Sequence, residues 1–327
     1  MMKQPIALRL AVVGAGRMAE AMVGGMIERG HQRAIDTHVY DVHRSRCVGR
    51  PTAHRTHTHT HTHNKHKLRT CAHTHDKSAF RRMDLYSKKW PGIGTCTSAT
   101  ACVEGSDVVL LAVKPQHMPG VLSTISPALP SSALAVSIAA GCPISMFTKS
   151  LPTKSVVRSM PNTPALVGKG MSVWTATEEC TEAQRQAARR LFSCFGEEHY
   201  VSEEQQLDIA TALVGSGPAY ALLLMEAMID AGVHMGFPRE VSERLVLETV
   251  SGSVEYLKIA RQTAGANINT LRNDITSPGG TTAAAIYTAE KGGLRTVVAD
   301  TVWAAYRRSL ELGGADSNIG PGRSKRT

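Results

Sequence analysis

The chain has 327 residues, 42% of them hydrophobic and 5% aromatic, enough for two globular domains of ordinary size, each with its own core. The net charge of +10 does not indicate a nucleic-acid or membrane-surface partner. Val48 to Arg82 holds eight Lys and Arg against one acid, Asp76, and so supplies +7 of that charge. The seven cysteines, Cys47, Cys71, Cys96, Cys102, Cys142, Cys180 and Cys194, show no C-x-x-C spacing. They read as reduced, buried small hydrophobes rather than zinc or redox pairs, so no metal is expected.

In chain order, Met1 to Arg9 is too short for a secretory or transit segment before the first strand, Leu10 to Val13. A helix pattern follows over Arg17 to Arg29, then a strand at His38 to Asp41. Beyond Val48 to Arg82 the sequence predicts a helix reaching Trp90 and a strand at Ile93. Further strands are predicted at Val108 to Val113, Ala133 to Ala139 and Ser155 to Arg158, with helices at Met118 to Ser126 and Ile144 to Leu151 between them. Gly170 to Thr175 and Glu197 to Val201 read as two more strands flanking a helix over Thr181 to Phe195. Short β-branched runs alternating with helices indicate a doubly wound parallel sheet of the Rossmann type, over residues 1–201. Residues 202–314 read as all-helical, with breaks at Gly215-Ser-Gly-Pro218, Gly236-Phe-Pro238 and Ser277-Pro-Gly-Gly280. Residues 315–327 read as a disordered polar tail. Leu213 to Val233 is apolar enough for a membrane span but carries Glu226 and Asp230, so it is expected to be buried in protein and the protein to be cytoplasmic, with no membrane partner. Pro218 to Met235 is apolar nearly all round, which calls for cover on every side and points to a second copy of the chain, a homodimer or an oligomer of dimers.

Residues 48–82 interrupt this pattern. Thr56 to His63 alternates Thr and His, echoed at His73-Thr-His75, with neither helical period nor core face. A metal-binding tract and a charge-mediated tether are conceivable readings. A CA dinucleotide repeat read in frame also encodes His-Thr, so the favoured expectation is a disordered insertion without function.

Two helix openings carry the chemistry. Val13-Gly-Ala-Gly-Arg-Met-Ala19 is G-x-G-x-x-A between a strand and a helix. Gly14 makes the tight turn, Gly16 admits a pyrophosphate close to the backbone, and Ala19 keeps helix on sheet; Ala15, Arg17 and Met18 complete the cradle. Asp41 would accept bonds from ribose hydroxyls, but Arg44 follows and suits a 2′-phosphate, so NADPH is favoured over NADH. The second opening is Pro278-Gly279-Gly280, where glycines and a helix start at Thr281 can aim N–H groups at a small carboxylate without an arginine. Thr281 and Thr282 as plain helix caps is the competing interpretation.

The ordered blocks Val113-Lys-Pro115, Ser137-Ile-Ala-Ala-Gly141, Arg158-Ser-Met-Pro-Asn-Thr-Pro164, Gly215-Ser-Gly-Pro-Ala-Tyr220 and Asp274-Ile-Thr-Ser-Pro-Gly-Gly-Thr-Thr282 resemble the pyrroline-5-carboxylate reductase family from residue 10 to about 312. The resemblance implies reduction of 1-pyrroline-5-carboxylate to L-proline, the final step of proline synthesis. It implies that Ser277, Gly279, Gly280 and the Thr281 backbone hold the substrate carboxylate while the Thr282 hydroxyl meets the ring nitrogen. It also implies that Ala112, Val113, Lys114, Pro115, Ala139, Ala140 and Asn162 line the nicotinamide pocket, and that Glu204 lies near the substrate, where a solvated acid at a helix start is an equal reading. Asp274, where relatives often carry an amide, and Ala99, where they often carry an asparagine, depart from the pattern. Two other functions are compatible with a Rossmann half followed by helices. A β-hydroxyacid dehydrogenase would need a helical-half base, for which Lys258 is the only interior candidate; a catalytically idle nucleotide-binding homo-oligomer is the other.

Overall fold

The computed structural model describes residues 8–30, 32–33, 36–41 and 76–322, with backbone alone for 76–82. The described residues fall into two compact units, those up to 210 with 312–315, and 211–311 with 316–322. The division falls at Ala210, nine residues beyond the expected boundary at 201, because Leu207 and Ala210 are buried in the first unit.

The first unit runs β1 (Leu10–Val13), α1 (Arg17–Glu28), β2 (Thr37–Tyr40), α2 (Asp76–Lys89), β3 (Gly94–Thr95), α3 (Ala99–Val103), β4 (Val108–Leu111), α4 (Met118–Ile125), β5 (Leu134–Ser137), α5 (Ile144–Ser150), β6 (Val156–Met160), β7 (Gly170–Ala176), α6 (Glu182–Ser193), β8 (Gly196–Tyr200) and α7 (Gln206–Ala210). The sheet order is β3-β2-β1-β4-β5-β6-β7-β8. It is parallel through β6, and β7 enters antiparallel to β6 with β8 parallel to β7. The two strands at the middle of the order, β1 and β4, are wholly apolar and buried because both faces of the sheet are covered. Leu10 and Val12 join one core with Met22 of α1, Tyr86 of α2 and Phe192 of α6. Ala11 and Val13 join the other with Cys102 of α3, Leu122 of α4 and Phe147 of α5. The expected doubly wound sheet is therefore present.

Several expectations need correction. Residues 42–75 lie outside the described residues, but 76–82, expected to be disordered, already belong to α2. The His-Thr alternation ends at His75, and the next stretch lacks β-branched residues and opens on an acid, which suits a helix start. Helix α3 was not anticipated: five residues are too few to show a period, and its signal is local, the Ser98 hydroxyl accepting from Ala101 N at 3.2 Å.

The second unit begins in a π-helical turn, Thr211–Gly215, and continues as α8 (Gly217–His234), α9 (Arg239–Ala264), α10 (Ile268–Asp274), α11 (Thr281–Lys291) and α12 (Leu294–Leu312). At Gly215-Ser-Gly-Pro218 the π turn ends at Gly215, the chain bends at Ser216, and α8 opens at Gly217 with Pro218 in its first turn, where its missing N–H costs no bond. Within one chain much of this helix is left uncovered: Leu222, Leu223 and Leu224 are 63%, 66% and 54% exposed. Gln206–His234 is long and apolar enough to cross a membrane by length and composition. The tail is not loose through residue 322. Arg307 donates from Nε to Ile319 O at 3.0 Å and from Nη2 to Pro321 O at 2.9 Å.

Candidate active site

In the first unit the site forms at the carboxyl ends of β1 and β4, where strand order reverses and open α/β sheets bind their ligands. Gly14 leaves β1 at φ +107°, and its N–H donates to Tyr40 O at 2.7 Å. A Cβ there would lie 2.7 Å from the backbone of Ala112, so glycine is required both by conformation and by the contact between the two strand ends. Gly16 is the N-cap of α1 and places no side-chain acceptor on the helix start. The first helical bond is Glu20 N to Gly16 O at 2.9 Å, which leaves the N–H groups of Arg17, Met18 and Ala19 outside the helical ladder. A Cβ on Gly16 would touch nothing within 4 Å, so there is open space in front of those donors. An uncapped helix start facing free space fits a dinucleotide pyrophosphate. Ala15 and Ala19 are buried behind it, and Asp41 is 3% exposed at the end of β2. Arg44, on which the cofactor preference rested, lies outside the described residues.

The rim continues along neighbouring strand ends. Val113 is buried, while Lys114 and Pro115 are exposed at the start of a 3-10 turn. The Ser137 hydroxyl accepts from Ala139 N at 3.3 Å, and the Ser137 carbonyl accepts from Ser159 Oγ at 3.5 Å, so Ala139 is tied to the end of β5 where that strand is joined to β6, and Ala140 follows it. Asn162 spends its Oδ1 on Met171 N at 2.9 Å, which anchors the start of β7 and leaves its amide N–H groups for a ligand.

Glu204 is not the solvated acid that one reading expected. Its Oε1 accepts from Arg158 Nη1 at 2.7 Å and from Ile144 N, the start of α5, at 2.8 Å. Arg158 Nη2 reaches Asp208 Oδ1 at 3.2 Å, and the Arg158 side chain is only 6% exposed. Sequence reasoning missed Arg158 and Asp208 as members of this cluster. The available signals were a lone cation in the apolar strand Val156-Val157-Arg158 and an acid one helical turn after Glu204. Burial pushes the Cys142 thiol up, with the Arg158 charge opposing the shift.

In the second unit the chain leaves α10 at Asp274 and turns at Gly279, φ +69°, into α11. Gly280 is the N-cap, and no side chain caps the helix. Thr281 and Thr282 occupy its first two positions, so the reading of these threonines as caps fails on geometry. The first helical bond is Ala284 N to Gly280 O at 3.2 Å, so the Thr281, Thr282 and Ala283 N–H groups are outside the ladder. The Ser277 hydroxyl lies beside the N-cap residue: a Cβ on Gly280 would lie 2.4 Å from its Oγ. Ser277, Gly279, Gly280, Thr281 and Thr282 are thus brought together, Thr282 half-buried and Asp274 exposed beside them. Lys258, the base a hydroxyacid dehydrogenase would need, is exposed on α9.

Residues 204–312 match the family model described as pyrroline-5-carboxylate reductase dimerisation, and residues 9–141 match the model described as NADP oxidoreductase coenzyme F420-dependent. Pyrroline-5-carboxylate reductase of Pseudomonas aeruginosa is 35% identical over 305 residues, covering 93% of this chain and 96% of that protein. The Arabidopsis thaliana enzyme of that name is 31% identical, covering 93% and 95%. Among solved structures, a pyrroline-5-carboxylate reductase from Coxiella burnetii superimposes with TM-score 0.75 at 29% identity, covering 94% of this chain and 99% of that one. Pyrroline carboxylate reductase of Plasmodium falciparum, solved with NADP bound, gives 0.72 at 28%, covering 94% and 98%. This chain belongs to the pyrroline-5-carboxylate reductase family.

Proposed function

We propose that this chain reduces 1-pyrroline-5-carboxylate to L-proline with NADPH as hydride donor and NADH as a weaker one. The observation that carries the reading is the α11 start, a socket of backbone N–H groups and the Ser277 hydroxyl without a basic side chain. Such a socket suits a small carboxylate, because the helix dipole supplies about half a positive charge and the donors are already fixed. Ser277, Gly279, Gly280 and the Thr281 backbone hold the carboxylate, and the Thr282 hydroxyl contacts the ring nitrogen.

The reduced nicotinamide, when bound, supplies a hydride to the imine carbon, and the nitrogen gains a proton to complete the amine. A protonated C=N is already a good acceptor, so the chain's work is mainly to place the two partners. Gly14, Ala15, Gly16, Arg17 and Met18 hold the pyrophosphate and Arg44 the 2′-phosphate. Ala112, Val113, Lys114, Pro115, Ala139, Ala140 and the Asn162 amide line the nicotinamide side. Glu204 acts beside the substrate by fixing the wall through Arg158 and Ile144. The chain works as a homodimer in the cytoplasm, its exposed apolar α8 covered by a second copy rather than by lipid or nucleic acid. Matching of residues 204–312 to a dimerisation family supports that cover.

NADPH oxidation followed at its near-ultraviolet absorbance, with pyrroline-5-carboxylate as substrate, tests the reading. Thr282→Ala should lower kcat/KM roughly 10²-fold, the lower range for a proton-handling or hydrogen-bonding group. An unchanged value would remove Thr282 from the reaction, and no turnover by the parent chain would remove the reaction itself. Deletion of residues 48–75, which spares α2, should leave turnover in place.

A further inference from the structure

We infer that Arg158 is a positioning residue for the nicotinamide side of the site, acting through Glu204 and Asp208 to fix the loop between β5 and α5. This rests on the function proposed above. Arg158 is the sole charged side chain of β6, a strand otherwise made of Val156, Val157, Ser159 and Met160. Its guanidinium is nearly sealed from solvent, and the two carboxylates it engages are 30% and 14% exposed. One positive charge against two negative ones is a poor way to fill a core, since an apolar trio of similar volume is often as stable or more so. Directionality is what such a cluster adds. A planar fork engages two carboxylates at fixed angles, which neither a methionine nor a single ammonium can copy.

The geometry shows what is being aimed. Glu204 Oε1 is shared between Arg158 Nη1 and the N–H of Ile144. The shared oxygen therefore ties β6 to the first turn of α5. Upstream of Ile144 lie Gly141, at φ +69°, and Ala140 and Ala139, the residues assigned to the nicotinamide. Downstream of Arg158, β6 ends at Met160 and leads to Asn162, on the same wall. Asp208 holds the other nitrogen of the fork from α7, one turn beyond Glu204. Release of the fork would free the Ala139-to-Ile144 loop while leaving the pyrophosphate cradle at Gly14 and Gly16 intact. A misplacement of about 1 Å at a hydride-transfer site can cost on the order of 10²-fold in rate.

Arg158→Met and Arg158→Lys are to be compared with the parent chain in kcat, in KM for pyrroline-5-carboxylate, and in affinity for NADPH and for 2′,5′-ADP, which lacks the nicotinamide half. In Arg158→Met we expect kcat to fall roughly 10- to 100-fold with KM within about threefold, since the substrate socket is elsewhere in the chain. Affinity for 2′,5′-ADP should hold, and the gap separating it from NADPH should narrow. Arg158→Lys should recover part of kcat. Asp208→Asn, which keeps an acceptor, should show the same pattern at about three- to tenfold and serves if Arg158→Met does not fold. Equal loss of affinity for both nucleotides, or a lowered melting temperature with kcat and the gap unchanged, would overturn the inference. A parent chain that does not reduce pyrroline-5-carboxylate, yet whose nucleotide gap narrows on substitution, would keep Arg158 in its role and discard the assigned reaction.

Discussion

The two units solve the same packing problem in opposite ways. In the sheet unit each central strand buries both faces, and α1, α2 and α6 close one side while α3, α4 and α5 close the other. In the helical unit few apolar side chains are buried within the chain, among them Ile229, Val246 and Leu310, while Leu222, Leu223, Met235, Tyr256, Val297 and others stand exposed. One close approach holds α8 to α9: a Cβ on Gly232 would lie 2.1 Å from Ser242 Oγ. The difference teaches that the first unit carries its own core, whereas the second leaves much of its apolar surface uncovered within one chain. Each exposed leucine forgoes about 1.5 to 3 kcal/mol that burial would return.

The sharpest way to break this comparison is a charge on α8. Leu223→Asp should scarcely disturb an isolated chain, because the site is open to water there. In a twofold pair it buries two unpaired carboxylates at once, a cost of several kcal/mol per copy. Sedimentation should then show monomer in place of dimer, with at least a 10³-fold loss of turnover. A variant that sediments like the parent would mean that α8 is not the covered face.

Two glycine substitutions separate fold from ligand in the sheet unit. Gly14→Val meets the Ala112 backbone and a left-handed φ together, and should cost about 3 kcal/mol of stability by denaturant titration. Gly16→Ala meets nothing and sits at φ −74°, so its stability should match or slightly exceed the parent's while NADPH affinity falls at least tenfold. Equal destabilisation by both would mean that the space before Gly16 serves packing rather than a pyrophosphate.

What could be read from the sequence follows the same division. Strands such as Val108-Val-Leu-Leu111 and turns such as Gly14 were legible because local pattern and tertiary burial agree there. The apolar girth of α8 was legible too, and with it the need for cover from outside the chain, because its leucines do not fit one stripe. The α11 socket could be located from Pro278-Gly279-Gly280, yet only coordinates show that Gly280, not a threonine, caps the helix. The Arg158 cluster was invisible because its members are 46 and 50 positions apart, and no spacing rule reaches that far.

The dryness of the sheet core can be measured at Cys194, 1% exposed, whose thiol donates to Arg190 O at 2.9 Å. Burial pushes its pKa up to about 11, with Arg29 opposing. A thiol raised in the folded state stabilises that state below the ordinary thiol pKa and loses this contribution as pH rises through the folded value. Between about pH 9 and 11 the parent should therefore lose on the order of 2 kcal/mol that Cys194→Ser, which keeps a donor but does not ionise, retains. Parallel pH curves for the two proteins would show that water reaches this side of the sheet.

The smallest effect is expected where the helical unit does satisfy itself. Arg307 lies over the Trp303 ring at 5.7 Å and donates to two tail carbonyls, at Ile319 and Pro321. Gly320, at φ +85°, fits close on the same ring, where a Cβ would lie 2.5 Å from it. These bonds are partly solvated, so Arg307→Ala should cost only about 1 kcal/mol. Hydrogen exchange at residues 315–322 is the sensitive readout, because protection there reports the tail and not the global unfolding that cover of α8 controls. Faster exchange in the tail with an unchanged dimer would separate this local closure from the intermolecular one. If Arg307→Ala instead dissolves the dimer, the tail is part of the shared core, and the second unit contains even less structure of its own than its exposed helices suggest.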